Sequence, residues 1–289
     1  MTKLGDFSIP ELYAEICARK GERIDFGKST LKIDARQGGG VYQSDAVWID
    51  FHDPLYAEIK KTLNPALIVD IGANIGFSSV CFGENFPATR IIAVEPNPEL
   101  APLFHENMRV NGIANYELLV KAVGDSDQKL PFSCPPGFSV DAKVTTADTA
   151  PSFWAEQTTL AQILSGTPDE APVYIKIDAQ GHDYNIIKGG KSFFDRAHRY
   201  LVRVEFAPAW IEQGAGGSPQ EFLAYLTQKF DVAELQKPSF STGRLAPLFE
   251  SPLKCDDVDA FVRYTRQKSS GGKGYVDLIF KPKRLKIDG

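Results

Sequence analysis

The chain has 289 residues, 43% hydrophobic and 24% charged, enough for one large folded α/β unit with additions or for two small ones. A formal net charge of −5 argues against a nucleic-acid substrate, whose phosphates are met by basic surfaces. Cys17, Cys81, Cys134 and Cys255 form no CxxC pair, no apolar run reaches the roughly 20 residues of a membrane span, and Met1–Gly5 begins no apolar signal core. These features argue against a structural zinc site and a spanning segment, and the expectation is a cytoplasmic protein.

Residues 1–65 read as an addition ahead of the main domain. Ile9, Leu12, Tyr13 and Ile16 fall at helical spacing, with Pro10 suited to a first turn. Arg23–Phe26 and Thr30–Asp34 alternate with period two about Gly27-Lys28-Ser29, which predicts a hairpin. Gly38-Gly39-Gly40 breaks the chain, and a short helix is expected through Leu63 with Asp53 as its cap.

From Ala66 the pattern changes. Apolar runs at 67–71, 91–95, 116–120, 173–178 and 200–205 predict strands buried on both faces. Helical segments are expected between them at Ser78–Phe86, Pro98–Asn111, Leu160–Ser165 and Tyr184–Phe194. This alternation means a parallel sheet covered on both sides. A helix at Pro219–Phe230, a strand near 232–235 and a last strand at 275–280 close the chain. The proline-interrupted connection 236–274 is expected to be an irregular insertion of the lid or substrate-wall kind. Phe132–Trp154, rich in turns and aromatics, fits either an apolar acceptor wall or a loop packed on itself.

The glycine turn after the first strand of this series carries the chemistry. Asp70-Ile71-Gly72-Ala73-Asn74-Ile75-Gly76 has Asn where a dinucleotide loop of the G-x-G-x-x-G kind needs its middle glycine. It suits instead a ligand with an amino-acid end: Asp70 is expected to meet an ammonium, and the backbone at Gly72 and Gly76 to pack on the ligand. Glu95 ends the next strand, 25 residues after Asp70, where a carboxylate accepts from ribose hydroxyls. Asp125, with Val123 beside it, is placed to meet an adenine. Alone, the glycine turn is a tight turn and Glu95 a solvated strand end; at strand–helix–strand spacing they make a cofactor site.

Val69–Gly76, Ala93–Pro98, Lys121–Asp125, Thr158–Leu160 and Ile175–Asp183, read with Gly189, resemble the FkbM family of methyltransferases over Leu67–Glu205. The resemblance implies a Rossmann-like class I methyltransferase fold, a mostly parallel twisted sheet with an antiparallel C-terminal hairpin. It implies S-adenosyl-L-methionine as cofactor and a hydroxyl on a sugar or secondary metabolite as acceptor. Phe77, Ser78, Pro96 and Asn97 complete the expected cofactor set with Asp70, Gly72, Asn74, Gly76, Glu95, Val123 and Asp125. The family usually carries Glu at the positions of Gln180 and Asp183, and often Asp at that of Ala161.

Ligands of open α/β sheets lie beyond the C-terminal strand ends, which focuses the chemistry on Asp178, His182, Asp183 and Glu205. Asp178 is a site acid or the cap of the following helix. His182 is a general base or a locally packed ring. Glu205 orients the acceptor or is a structural charge. His52 is a weaker candidate base, and His105 and His198 read as surface residues. No ligand motif demands a metal on Asp178, Asp183 and Glu205. The other readings are a non-catalytic partner with this fold, or a methyltransferase acting on a macromolecule.

Overall fold

The computed structural model describes residues 23–26, 29–32, 54–135, 139, 142–145, 150–197, 199–214, 217–235, 243–272 and 274–287. The expected helix near Ile9–Cys17, the glycine break at 38–40, and His52, Asp53 and His198 lie outside these residues. β1 (Arg23–Phe26) and β2 (Ser29–Lys32) form the expected hairpin, Phe26 pairing with Ser29. The first helix, α1 (Leu55–Thr62), has Pro54 at its capping position, where no side chain caps it.

The main sheet has seven strands. In spatial order they are β12 (Phe230–Glu234), β13 (Val276–Pro282), β11 (Tyr200–Phe206), β10 (Val173–Ile177), β3 (Leu67–Ile71), β4 (Arg90–Val94) and β5 (Tyr116–Leu119). Pairing is parallel from β11 to β5, and β13 lies antiparallel between β11 and β12. The closing antiparallel pair is thus the expected one, with its last strand inserted inward. Among the described residues, no helix is long and apolar enough to cross a membrane.

Period-two side-chain alternation gives the inner strands β3, β10, β11 and β13 two buried faces, whereas β5, expected to be buried on both, is a half-exposed edge strand with Glu117 exposed. Ile68, Tyr174, Leu201 and Ile279 face α1, α2 (Phe77–Asn85) and α3 (Ala101–Val110), meeting Leu55, Phe82, Phe104 and Met108. Val69, Ile175, Val202 and Leu278 face the opposite layer. That layer holds α4 (Leu160–Ile163), α5 (Asp183–Gly189), α6 (Lys191–Arg196), α8 (Pro219–Lys229) and α9 (Val258–Gln267). The single helix expected over Tyr184–Phe194 is two, joined at Gly190, where a Cβ would fall 2.6 Å from the Phe194 ring.

Two connections differ from expectation. The third-to-fourth-strand connection carries a second sheet of four strands, ordered β6 (Ala122–Gly124), β9 (Phe153–Thr159), β7 (Gln128–Ser133), β8 (Lys143–Val144). Phe132 and Phe153 stack across it at 5.1 Å. This sheet is seated against α5 by a backbone contact: a Cβ on Gly189 would lie 1.9 Å from the Gly124 carbonyl oxygen. The other connection, 236–274, was expected to be an irregular lid. Its described part includes α9, whose Val258, Phe261 and Val262 are core residues, while Leu245 and Leu248 join the other core face. An apolar stripe at helical spacing buries against the sheet's covering layer, so this part adds core and lines no wall of the cleft described below.

Candidate active site

A cleft of about 390 Å³ opens over the C-terminal ends of β3, β4, β10 and β11. Its first end is built from backbone. After β3 the chain turns at Gly72 (φ +75°), where a Cβ would sit 1.9 Å from the Asp178 carbonyl oxygen; only glycine fits there. Asn74 then takes a left-handed conformation (φ +49°), a shape Asn tolerates better than most residues. Its N–H donates to Glu95 Oε2 at 2.8 Å, and the Asn97 N–H donates to Glu95 Oε1 at 2.9 Å. Glu95 is 6% exposed, and burial pushes its carboxyl up to about 7 against the pull of these two N–H groups. Gly72, Asn74, Phe77, Ser78, Pro96 and Val123 line this end with it.

The other end is built from charged side chains projecting from buried strands. Asp70, Lys176 and Arg203 lie side by side in register on β3, β10 and β11, on the sheet face toward α1–α3. Lys176 Nζ stands 3.6 Å from Asp70 Oδ1 and 3.4 Å from Asp178 Oδ2. Arg203 donates to Asp277 Oδ2 at 2.7 Å, with both residues buried. Glu205 pairs in register with Asp277, and its Oε2 is buried without a hydrogen-bond partner among the described residues. Burial, then the charges of Asp178, Asp183 and Asp277, hold the Glu205 carboxyl well above the usual carboxylate range. Trp210, at the start of the loop-side helix α7 (Pro208–Gln213), and Tyr275 stack at 6.2 Å and complete this wall.

The model of the methyltransferase FkbM domain matches residues 70–234, more than half of the chain and the segment that carries most of the cleft lining, Tyr275 and Asp277 lying beyond it. The chain belongs to the FkbM methyltransferase family. A curated relative, methyltransferase sdnD of Sordaria araneosa, is 26% identical over 213 residues, covering 63% of this chain and 80% of the relative. Among solved structures, the O-methyltransferase TomG from Streptomyces achromogenes is 13% identical with a TM-score of 0.42, over 81% of this chain and 78% of that one. An rRNA methylase from Streptococcus thermophilus is 9% identical with a TM-score of 0.39, over 78% of this chain and 93% of that one. Likenesses at this level say nothing about substrate.

Within this FkbM domain several residues stand elsewhere than the sequence suggested. Asp70 does not reach the cleft: it is fully buried, accepting from Ser79 Oγ at 2.6 Å beside Lys176. Gly76 packs on Phe104 beneath the loop rather than on the cleft wall, since a Cβ there would meet that ring at 2.9 Å. Asn97 faces away, its side chain accepting from the Glu99 N–H to cap the turn before α3. Asp125 is exposed and faces Lys188 at 3.6 Å, so it lines no part of the cleft, whereas its neighbour Val123 does.

The acids and imidazole after β10 also separate. Asp183 accepts from the Ala179 and Gly181 N–H groups at 3.0 Å each, capping the turn that follows β10. Burial, then Asp178, pushes its carboxyl up to about 7. Asp183 is buried beneath the turn and does not line the cleft. Asp178 therefore does not cap α5, and its side chain, 38% exposed, lines the cleft.

His182 is held at both nitrogens. Gln157 Nε2 donates to the Ser126 carbonyl at 2.6 Å, which turns Gln157 Oε1 toward His182 Nε2 at 3.1 Å. Asn185 Nδ2 lies 3.2 Å from Nδ1. The consistent assignment is a neutral ring, protonated on Nε2 and accepting at Nδ1. Burial pushes its pKa down to about 4. His182 does not meet the general-base expectation, because Gln157 and Asn185 engage both ring nitrogens.

Lys176, Arg203 and Asp277 were missed as site residues. Their signal was legible: each is a charge in the middle of a strand otherwise buried on both faces, Val173–Ile177, Tyr200–Phe206 and Val276–Pro282. Such a charge is costly unless it is paired or serves a site.

Proposed function

We propose that this FkbM-family chain is an S-adenosyl-L-methionine-dependent O-methyltransferase acting on a hydroxyl of a small molecule. The observation that carries the reading is one continuous cleft joining a buried, backbone-held carboxylate, Glu95, to an acidic end at Asp178 and Glu205. The residues fit the cofactor. Gly72 lets the backbone approach a ligand closely, Glu95 offers lone pairs for ribose hydroxyls, and Pro96 and Val123 flank the space for an adenine. The volume lies within the range of small-molecule sites, about 300–1,000 Å³.

Bound there, S-adenosyl-L-methionine supplies a methyl made electrophilic by its sulfonium. The chain's own task is then to hold an acceptor oxygen in line and take its proton. Asp178, half-exposed in the cleft and paired with Lys176, is the group placed to accept that proton. Glu205, with an unpartnered buried oxygen, orients the acceptor by accepting from a neighbouring donor. Trp210 and Tyr275 give the acceptor an apolar face.

Isothermal calorimetry with S-adenosylmethionine, followed by labelled-methyl transfer to a panel of hydroxylated small molecules, tests this. Micromolar binding and label on oxygen are expected. Failure to bind would overturn the cofactor reading. Binding with no transfer to any acceptor would instead support a non-catalytic partner with this fold.

A further inference from the structure

A single row of charges runs beneath the cleft floor. Asp70 is fully buried, Lys176 is 6% exposed, and Asp178 stands at the cleft surface. Ser79 fixes Asp70 from α2, and Gln180 Nε2 donates to Asp178 Oδ1 at 3.1 Å from the following turn. Other charges face the row from neighbouring elements: Glu95 beyond β4, Asp183 on α5, Glu205 and Arg203 on β11, and Asp277 on β13. Lys176 is the cation shared by Asp70, buried beneath the cleft, and Asp178, at its surface.

We propose that Lys176 is a positioning residue that sets the charge beneath the transferable methyl, cancelling Asp70 so that the floor carries one negative charge, that of Asp178. The proposal rests on the cofactor reading above. S-adenosylmethionine carries a sulfonium charge that methyl transfer removes, and S-adenosylhomocysteine carries none. A floor with two negative charges binds the sulfonium more tightly than the transition state in which that charge is fading, and such ground-state binding slows transfer. One cation, shared between Asp70 and Asp178, keeps Asp178 in place without overholding the cofactor.

The test is the ratio of two dissociation constants, that of S-adenosylhomocysteine over that of S-adenosylmethionine, by calorimetry on the full chain. Both ligands share the ribose, adenine and amino-acid ends, so contacts there cancel and the ratio reads charge at the sulfur. Lys176→Met takes the Asp70–Lys176–Asp178 sum from −1 toward −2, fully so only at a pH high enough to keep the buried Asp70 ionised, and is there expected to raise the ratio about fivefold, the size of one unit charge several ångströms away in an intermediate dielectric. Asp70→Asn takes the sum to zero and is expected to lower it about fivefold by the same reasoning. The double variant Asp70→Asn with Lys176→Met restores −1 and is expected to return the wild-type ratio. Lys176→Arg keeps it throughout.

If Lys176→Met does not fold, the isosteric Asp70→Asn and the double variant still decide. An unchanged ratio in Asp70→Asn, or a double variant that does not return to the wild-type value, overturns the proposal while leaving the cofactor reading intact. Wild-type chain that binds neither ligand overturns the cofactor reading and this proposal with it.

Discussion

At the end of the cleft proposed to take the methyl donor, the polar groups are placed by backbone: the turn at Gly72 and Asn74 and the N–H groups of Asn74 and Asn97 fix Glu95. At the acceptor end they are side chains, Lys176 and Asp178 from β10, Arg203 and Glu205 from β11, and Asp277 from β13. Backbone geometry leaves a short motif contiguous in sequence. A side-chain constellation leaves single charges about 27 and 74 residues apart, as the register of Lys176 with Arg203 and the pair Arg203–Asp277 show. The backbone-built end is therefore fixed by local chain conformation, while the side-chain-built end can be altered one side chain at a time.

That contrast can be broken most severely at Gly72. Gly72→Ala forces a side chain onto a left-handed backbone and against the Asp178 carbonyl. Its expected cost is about 4 kcal/mol of unfolding free energy, with cofactor binding lost, read by denaturant melts and calorimetry. Next in size, Arg203→Met leaves Asp277 buried without its guanidinium and is expected to cost about 3 kcal/mol. Arg203 makes no contact with the backbone-built end, so cofactor affinity should change by no more than the few-fold that one unit charge in this row carries; a loss of affinity as large as the loss of stability would show that the two ends are not separate.

A smaller effect is expected from Glu95→Gln. Burial holds the Glu95 carboxyl near 7, above its ordinary value of 4.5, so its stabilising share is complete below 4.5 and is lost as pH rises through about 7. Asp183 acts in the same direction over the same window, and His182, pushed down to about 4, acts in the opposite one below 6.5. Relative to wild type, the unliganded Glu95→Gln chain loses one of the two backbone acceptors at every pH, but the difference should move in its favour by about 2 kcal/mol between pH 4.5 and pH 8, while it binds cofactor more weakly. Equal shifts at both pH values would remove the buried-carboxylate account. The smallest effect is expected from His182→Asn, since the ring lines the cleft but has both nitrogens engaged by Gln157 and Asn185. Methyl-transfer rate should stay within about fivefold, with an unaltered pH profile, since a general base contributes a hundredfold or more.

Much of the frame was legible because the parallel strands are mostly apolar runs broken by single charges and the turn at 70–76 is a local signature. The small sheet over 122–159 was not. Its strands are short or half-exposed, Pro131 interrupts one of them, and its pairings of β6 with β9 and β7 with β9 are fixed by contacts far apart in sequence. Position in sequence also misled at Asp70 and Asp125. Both sit at strand ends that point toward the cleft, yet Ser79 and Lys176 draw one inward and Asp125 lies outward beside Lys188. A strand-end acid says where a carboxylate begins, and its partners decide where it goes.

Gly189 touches no wall of the cleft, and its importance lies in what it keeps apart. The missing side chain is the spacer between α5 and the end of β6, and β6 carries Val123 into the cleft one residue before the contact. Any larger residue would act as a wedge, prying the small sheet off the helix and swinging Val123 with it. A substitution there would register as a change in ligand affinity at a distance. A survey of binding-site residues confined to the cleft would overlook it.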